Sequence, residues 1–316
     1  MCLLATPVLI MYGKTVKPDS YIRRTYRYKT QLGTGGSGTV YLAKHMRLNK
    51  NVVIKITNDC SPEAVKIHRN EVEALKNIKS LHIPQVLDFF IEEDKSYTVM
   101  EYIDGVSFDK LLREKRSFSE PQIMCWYIQL AQTLDVIHKR NIFHRDIKPA
   151  NIMLTTNGDI CLIDFNSAFV IGNNTGVISR SMGYASPEQY EYFKICKSRQ
   201  KEIMKHNFEY LETALLAGDC RTEPCTRASL HVNTQENIGL RNIDWGLSDI
   251  YSLGATIFHF LTKKRPPVKP GDVEKITNME GYSRQLPEII QKSMNSDPLK
   301  RFSSARELYD TLLNLM

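Results

Sequence analysis

The sequence predicts an α+β protein in which a small β-rich lobe with one helix precedes a larger helical lobe. Short β-like runs dominate residues 26–104. Beyond that region, apolar residues recur mainly at helical spacing. A glycine-rich segment at residues 32–40 joins the first two β-like runs. We therefore predict an N-terminal tail at residues 1–25, a first lobe at residues 26–103 and a second lobe at residues 104–316.

The first lobe contains five predicted strands and one predicted helix. Ser61 is a suitable N-cap and Pro62 a suitable first residue for a helix over residues 62–79. Apolar residues between positions 65 and 78 share one face of that helix. The five β-like runs cover residues 28–32, 39–45, 52–56, 86–92 and 96–102.

The second lobe is predicted from three helical stretches. Residues 121–140 carry apolar side chains at helical spacing, and Ser119 or Glu120 can begin this helix. Residues 248–261 and 303–316 have the same helical character. Short strands and loops are expected between them, around residues 141–190.

Charge and cysteine content restrict the partners and the compartment. The formal charge of +7 indicates a mildly basic surface. No run combines aromatic and basic residues in the way that binding of single-stranded nucleic acid requires. The seven cysteines are scattered and odd in number, which argues against a disulfide framework. We expect a cytoplasmic protein in a reducing compartment, with no nucleic-acid partner.

The apolar start of the chain does not predict a membrane span. Residues 2–10 carry no charge, but no basic segment precedes them and no small-residue cleavage site follows. The run is too short to cross a bilayer, and no other stretch of the chain is long and apolar enough to do so. We expect a tail and no stable membrane insertion.

The glycine-rich segment reads LGTGGSGTV and fits the pattern G-x-G-x-x-G with Gly33, Gly35 and Gly38. Glycine permits tight turns that bring backbone N–H groups close to phosphate oxygens. A dinucleotide-binding fold would place a helix directly after the glycines, whereas residues 39–43 are β-like here. The segment therefore predicts a lid over phosphates between two strands, with a hairpin loop that binds no ligand as the alternative.

A lysine in the third predicted strand is a further candidate. Lys55 follows three apolar residues, and a lysine at the end of a buried strand is costly unless an anion or a carboxylate pairs with it. Glu71, in the following helix, is the preferred partner because it lies beside apolar residues. Glu73 is the competing choice, on another side of the helix.

Residues 143–153 read FHRDIKPANIM, and with this segment the chain resembles the protein kinase family. His144, Arg145, Asp146 and Asn151 match the family's catalytic loop, and Lys148 is similar to its Ser/Thr branch. The segments HRDIKPANIM and GYASPEQY are similar to bacterial members of that branch. The resemblance covers about residues 26–316, except for one stretch between Glu188 and Asp249, and implies the bilobal protein kinase fold.

The resemblance implies roles for the residues of this loop. Asp146 would accept or orient the proton of the substrate hydroxyl, and Lys148 would place positive charge by the transferring phosphoryl group. Asn151 would offer a neutral oxygen ligand to Mg²⁺. His144 and Arg145 are assigned structural and regulatory roles, and Arg145 is a candidate docking point for a phosphorylated activation segment.

A second implied Mg²⁺ ligand, Asp164, ends the apolar run ICLID. The family pattern is Asp-Phe-Gly, whereas this chain has Asn166 in the third position. Asn tolerates the left-handed backbone better than most residues, so we expect the loop to keep its conformation.

The resemblance also implies a set of residues that contact ATP. Met100, Glu101 and Ile103 resemble the hinge that binds adenine through backbone groups, and Val53 replaces the usual Ala beside it. The full set is Leu32, Gly33, Thr34, Gly35, Gly36, Ser37, Gly38, Val40, Val53, Lys55, Met100, Glu101, Ile103 and Met153.

The segment GYASPE resembles the family's Ala-Pro-Glu, with Ser186 in place of Ala. The resemblance implies a buried ion pair between Glu188 and Arg301. Ser181 takes the position of a Thr that bonds the catalytic Asp and Lys. Asp249 is expected to anchor the backbone of the catalytic loop.

The connection from Glu188 to Asp249 is longer than the family's usual one, so we infer an insertion at about residues 192–241. Within it, residues 198–218 are consistent with an amphipathic helix. A docking or autoregulatory element and a helix without a role are both open interpretations. Thr175, Ser179 and Ser181 are candidate phosphorylation sites, and we hypothesise autophosphorylation at Thr175 or Ser179.

Together these residues predict a Ser/Thr protein kinase that transfers the γ-phosphoryl group of Mg-ATP to a protein hydroxyl. One alternative is a pseudokinase scaffold that binds ATP with little catalysis. Asn166, Val53 and Ser186 motivate that alternative, whereas the complete set of catalytic residues argues against it. A third hypothesis is a kinase-like enzyme that phosphorylates small molecules. The presence of Glu188, Arg301 and Asp249, which the resemblance assigns to the peptide-binding side of the kinase fold, favours a protein substrate instead.

Overall fold

The structure is a computed structural model that describes residues 21–35, 38–59, 61, 65, 68–69, 72–73, 75–171, 181–198, 201–202, 243–267, 282–283 and 285–315. The described residues fall into two compact units. The first comprises those up to Val65 together with Val86–Tyr102, and the second comprises those in Lys66–Gln85 together with those from Ile103 onward.

The first unit is an antiparallel sheet with a short helix, α1 (Tyr21–Thr25), at its start. The strand order is β1-β2-β3-β5-β4, and all five predicted strands are confirmed. Residues 21–25 were assigned to the tail from the sequence, but here they form α1. The strands are β1 (Tyr26–Gly35), β2 (Gly38–His45), β3 (Lys50–Thr57), β4 (Val86–Glu92) and β5 (Lys95–Glu101).

The core of the first unit lies on one face of this sheet. Along β3, Val52, Ile54 and Ile56 are buried, while the residues between them are only half-buried. This alternation is expected for a strand whose successive side chains point to opposite faces. Helix α1 adds Ile22 to the same core cluster. Its first two N–H groups, those of Tyr21 and Ile22, donate to the carboxylate of Glu92.

The second unit is mainly helical, as the sequence predicted. Its helices are α2 (Phe108–Arg113), α3 (Glu120–His138), α4 (Trp245–Thr262), α5 (Gln285–Ser293) and α6 (Ala305–Leu313). Residues 187–198 are also helical. Its strands are β6 (Gly105–Ser107), β7 (Ile142–Phe143), β8 (Ile152–Thr155), β9 (Ile160–Leu162) and β10 (Phe169–Val170).

Side-chain caps explain where these helices begin. Ser119 caps α3 in a reciprocal arrangement with Gln122, which settles the choice between Ser119 and Glu120. Helix α4 begins three residues earlier than predicted because Asp244 accepts hydrogen bonds from the N–H groups of Gly246 and Leu247. Helix α6 begins after Ser304, whose hydroxyl accepts from the Glu307 N–H.

Helices α3 and α4 together supply nearly half of the buried core residues of the second unit. Nearly every residue of α4 is buried, and α3 buries nine of its nineteen residues. Phe108 of α2 stacks on Phe260 of α4 with ring centroids 4.2 Å apart. A buried hydrogen bond of 2.8 Å joins Tyr127 of α3 to Ser293 of α5. Buried packing of this kind gives the loops at the helix ends a rigid support.

Several predictions fall partly or wholly outside the described residues. The predicted helix over residues 62–79 is helical at positions 65, 68–69, 72–73 and 75–76. Most of the insertion at residues 192–241, including the amphipathic stretch beyond residue 202, is not described. Among the residues that are described, no helix is both long enough and apolar enough to cross a membrane.

Candidate active site

The glycine-rich segment forms the hairpin between β1 and β2, as predicted. Gly35 pairs with Gly38 at its end, and Gly33 pairs with Val40. Gly38 has a φ of 121°, and a Cβ built there would lie 2.2 Å from the carbonyl oxygen of Ile56. Both observations require glycine at this position, because a side chain would be strained and would collide with β3.

Four of the predicted ATP-contacting residues share the face of the first unit's sheet that lies opposite the core. Lys55 in β3 pairs with Val40 on one side and Thr98 on the other, and Val53 pairs with Met100. Directly paired residues point to the same face of a sheet, and residues two apart along a strand do so as well. Val40, Val53, Lys55 and Met100 are therefore presented together, and all four are half-buried.

The remaining ATP-contacting candidates lie around this face and in the second unit. Leu32 is exposed, and the hydroxyl of Thr34 lies 3.2 Å from that of Thr39 across the hairpin. Glu101 ends β5 and Ile103 follows it. Gly36, Ser37 and the predicted partner of Lys55, Glu71, lie outside the described residues.

The catalytic loop of the second unit is anchored to α4 by one carboxylate. The backbone N–H groups of His144 and Arg145 donate to the two carboxylate oxygens of Asp249, each over 2.8 Å. Asp249 is fully buried and also lies 3.0 Å from Nε2 of His138. This confirms the predicted anchoring role of Asp249. His138, the last residue of α3, was not singled out from the sequence.

Asp146 lies at the centre of a compact hydrogen-bond network. Its Oδ1 accepts a 2.6 Å hydrogen bond from the Ser181 hydroxyl, and its Oδ2 accepts one of 2.7 Å from the Lys148 ammonium. The same ammonium donates to the Ser181 hydroxyl over 3.0 Å. The side-chain amide of Asn151 donates to the backbone oxygen of Asp146 over 2.8 Å. The structure thus brings together four residues that the sequence singled out.

The β8–β9 hairpin links the two candidate Mg²⁺ ligands along the chain. Asn151 lies just before β8, and Asp164 comes two residues after β9. The N–H of Ile163 donates to the backbone oxygen of Asn151 over 2.8 Å, which ties the two segments together. Met153, the candidate ATP contact of this unit, is half-buried in β8 opposite Cys161.

Asp164 and Asn151 suit a hard cation by their donor atoms. The amide nitrogen of Asn151 is engaged by Asp146, so its amide oxygen is the group left for a metal ion. Asp164 is exposed, and its Oδ1 accepts a hydrogen bond from the side-chain amide of Asn166. Among the described residues none hydrogen-bonds to its Oδ2. Mg²⁺ prefers such oxygen ligands, so the residues present fit this ion.

The left-handed backbone of this loop lies at Asp164 and not at Asn166, so the loop does not depend on the tolerance of Asn for positive φ that the sequence suggested. Asp164 adopts the left-handed backbone, with φ 65° and ψ 74°, and residues 165–167 form a single 3₁₀ turn. Phe165 is buried against His144 with ring centroids 4.7 Å apart. Nδ1 of His144 accepts a hydrogen bond from the Asp146 N–H. The ring proton is therefore on Nε2, which donates to the backbone oxygen of Ile163. His144 therefore holds the start of the loop around Asp164.

The guanidinium of Arg145 is buried between aromatic rings. It lies 5.0 Å from the ring centroid of Trp245 and 5.4 Å from that of Phe169, and its Nε donates to the Ser167 carbonyl over 2.7 Å. Tyr192, at the start of the predicted insertion, packs edge-on against Trp245. The sequence did not single out Trp245. The use of Arg145 as a docking point for phosphate stays a prediction.

The ion pair between Glu188 and Arg301 is confirmed. Two hydrogen bonds of 2.7 and 2.9 Å join the guanidinium to the carboxylate. The Arg301 side chain is fully buried, and it also donates to the backbone oxygens of Asn295 and Leu247. It therefore ties the segment around Glu188 to α4 and to the loop after α5.

A tyrosine–histidine pair supports the loop that precedes Glu188. The hydroxyl of Tyr184 lies 2.6 Å from Nδ1 of His259. Burial raises the pKa of Tyr184, so this hydroxyl keeps its proton and donates it. Burial, and secondarily the charge of Arg265, lowers the pKa of His259, which favours the neutral ring that accepts.

This fold and this site define the class of the protein. A glycine hairpin with a lysine on the same sheet precedes a helical unit that carries the Asp146, Lys148 and Asn151 arrangement, which is the organisation of protein kinases. The protein kinase domain family matches residues 26–200 of the chain, and the chain belongs to that family.

Individual relatives support the same class. The chain is 26% identical over 300 residues to a probable serine/threonine-protein kinase of Clostridium perfringens, covering 89% of this chain and 37% of that protein. It is 26% identical over 304 residues to serine/threonine-protein kinase PknA of Corynebacterium glutamicum, covering 90% and 54%. The mouse serine/threonine-protein kinase Nek5 is 36% identical over 175 residues, covering 53% and 26%. The chain thus spans about a third to a half of the length of these bacterial relatives.

Proposed function

We propose that the chain is a serine/threonine protein kinase that transfers the γ-phosphoryl group of Mg-ATP to protein hydroxyl groups. The observation that carries this proposal is the network around Asp146, in which Lys148 and Ser181 hold the carboxylate and Asn151 holds its backbone. Phosphoryl transfer needs alignment and charge stabilisation more than covalent help from the protein, and this network provides both.

In the proposed reaction, the substrate oxygen forms a bond to the γ-phosphorus while the bond from that phosphorus to the β–γ bridging oxygen breaks. ADP leaves, and the hydroxyl proton passes to the carboxylate of Asp146. Lys148, 2.7 Å from this carboxylate, keeps it oriented and places a positive charge beside the reacting oxygen. Asn151 and Asp164 would hold Mg²⁺, which neutralises charge on the phosphate oxygens.

ATP binding is proposed for the half-buried face of the first unit. Val40, Val53 and Met100 present apolar side chains there, which suit an adenine ring, and Lys55 places its ammonium on the same face. The backbone of the glycine hairpin approaches β3 closely at Gly38, and its N–H groups suit phosphate oxygens. The backbone groups of Glu101 and Ile103 are the proposed partners of adenine.

The first experiment is a transfer assay with Mg²⁺ and γ-labelled ATP, using the protein itself and a generic basic protein as acceptors. We expect label on Ser or Thr for the wild type and no label for Asp164→Ala. The matched control is Asp310→Asn, because Asp310 is a half-exposed carboxylate paired with Arg306 on α6. Label that persists in Asp164→Ala would contradict the proposed site. Binding of Mg-ATP without transfer would indicate a pseudokinase.

Two finer proposals concern segments outside the described residues. We propose autophosphorylation at Thr175 or Ser179, and phosphopeptide mapping that finds neither residue modified would refute it. We propose that the insertion at residues 192–241 docks a partner or substrate. Deleting residues 198–238 is expected to change substrate choice, and unchanged substrate choice and activity would refute a docking role.

A further inference from the structure

Gln189 connects the segment after Pro187 to the catalytic loop. Its side-chain Nε2 donates a 2.7 Å hydrogen bond to the backbone oxygen of Arg145. Gln189 is fully buried, and Arg145 is buried as well. A buried amide whose donor reaches a main-chain oxygen of a catalytic loop constrains that loop directly, because leaving either group unpaired is costly.

This hydrogen bond acts on the peptide unit that joins Arg145 to Asp146. The oxygen of that unit accepts from Gln189, and its N–H, which belongs to Asp146, donates to His144 Nδ1 over 3.3 Å. The preceding N–H groups are held by Asp249. Both polar atoms of the peptide unit are therefore fixed, and Asp146 cannot rotate about the backbone without breaking one of these contacts.

The backbone at Arg145 makes this restraint necessary. Its φ is 60°, in the left-handed region, which is strained for a residue that carries a side chain. Such a conformation persists only where the surroundings hold it. Asp249 accepts a hydrogen bond from the N–H of Arg145, and Gln189 donates one to its backbone oxygen. Loss of the Gln189 amide would therefore remove the hydrogen bond to the peptide unit that leads into Asp146.

The neighbours of Gln189 fix which end of its amide faces Arg145. Its Oε1 lies 3.4 Å from the hydroxyl of Ser248, which donates to it, and that hydroxyl lies 2.8 Å from the hydroxyl of Ser186. The amide nitrogen is consequently directed at the Arg145 oxygen. Ser186, which departs from the family's Ala, thus belongs to the group that orients Gln189.

We propose that Gln189 is a positioning residue for Asp146, acting through the backbone oxygen of Arg145. The inference rests on the proposed function, since Asp146 serves as the proton acceptor only if the chain transfers phosphoryl groups. A donor is required at this position, and a side chain of equal size that lacks one cannot replace it.

The test compares Gln189→Leu and Gln189→Glu with the wild type. Leu removes the donor, and we expect kcat to fall about 10- to 100-fold while KM for ATP changes less than about twofold. A protonated Glu can donate to the Arg145 oxygen, whereas an ionised one cannot. The ratio of kcat for Gln189→Glu to that of the wild type should therefore rise as pH falls, while the ratio for Gln189→Leu stays flat.

Tyr127→Phe is the matched control, because it also removes one buried hydrogen bond of the second unit, but that bond joins Tyr127 to Ser293 of α5 and not to the catalytic loop. It should lower Tm without lowering kcat. A wild-type kcat in Gln189→Leu, or an equal loss of kcat in Tyr127→Phe, overturns the proposal while leaving the kinase function intact. If Gln189→Leu does not fold, a flat pH ratio for Gln189→Glu overturns it. Absence of transfer in the wild type overturns the proposed function and this inference with it.

Discussion

Removing the carboxylate of Glu188 should strongly destabilise the second unit. Arg301 has a fully buried side chain and makes hydrogen bonds to both oxygens of Glu188. In Glu188→Gln, a neutral amide replaces the carboxylate, so a buried guanidinium loses its counter-charge. Breaking a buried ion pair by changing one partner costs about 3–5 kcal/mol. That is a large part of the roughly 5–15 kcal/mol by which a typical protein is stable.

Urea unfolding followed by tryptophan fluorescence can measure this loss. The chain has two tryptophans, Trp126 and Trp245, and both lie in the second unit, so the signal reports on the unit that contains the ion pair. Asp310→Asn is the control, because its pair with Arg306 is about half exposed on both sides. Such surface pairs contribute about 0–1 kcal/mol.

A loss below about 1 kcal/mol in Glu188→Gln would refute the reasoning, since the pair would then behave like a surface contact. The double variant Glu188→Gln, Arg301→Met should recover part of the loss, because no unpaired charge stays buried. The recovery should be incomplete, since the backbone oxygens of Asn295 and Leu247 lose their donor.

Three further outcomes follow from the structure. Gly38→Ala should lower Tm, because the new Cβ would collide with the Ile56 carbonyl, and Gly158→Ala is the matched positive-φ control, with no atom within 4 Å of its Cβ. Asn166→Gly removes the side-chain amide that competes with a metal ion for Oδ1 of Asp164. The affinity for Mn²⁺ in the presence of an ATP analogue, measured by electron paramagnetic resonance, should therefore rise severalfold. An unchanged affinity would contradict this. Because the pKa of His259 is lowered on folding, its contribution to stability is complete above its ordinary value of 6.5 and is lost as pH falls below it. In His259→Gln, the free energy of unfolding measured with urea should depend less on pH below 6.5. An unchanged pH dependence would show that another group is responsible.

Much of the fold could be predicted because local patterns and packing agree. The alternation along β3 identified a strand, and the same alternation placed Val53 and Lys55 on the face away from the core. Helix α3 followed from its apolar spacing and its Ser119 cap. The start of α4 was predicted three residues late because the sequence pattern did not identify Asp244 as its cap.

The site was predictable where one residue type is needed for the chemistry, as with Asp146, Lys148 and Asn151. Residues that act through contacts distant in sequence left no such signal. Gln189 lies in the segment GYASPEQY, but that segment does not indicate its contact with Arg145, which spans 44 positions. Trp245 likewise contacts Arg145, although the two residues are far apart in the sequence and no sequence pattern relates them. Long-range contacts of this kind depend on the tertiary fold and therefore required the structure.

The left-handed backbone at Arg145 and Asp164 has a practical consequence for efforts to make this protein more robust. Replacement by glycine would relieve backbone strain at either position, but it would also remove a site residue, and at Arg145 it would remove the buried contacts with Ser167 and Trp245. Lys115 and Lys263 share the same backbone conformation in turns, and Lys263 ends α4. Glycine at these two positions should raise the free energy of unfolding without changing a site residue. Destabilising substitutions in the site could then be studied in a more stable protein.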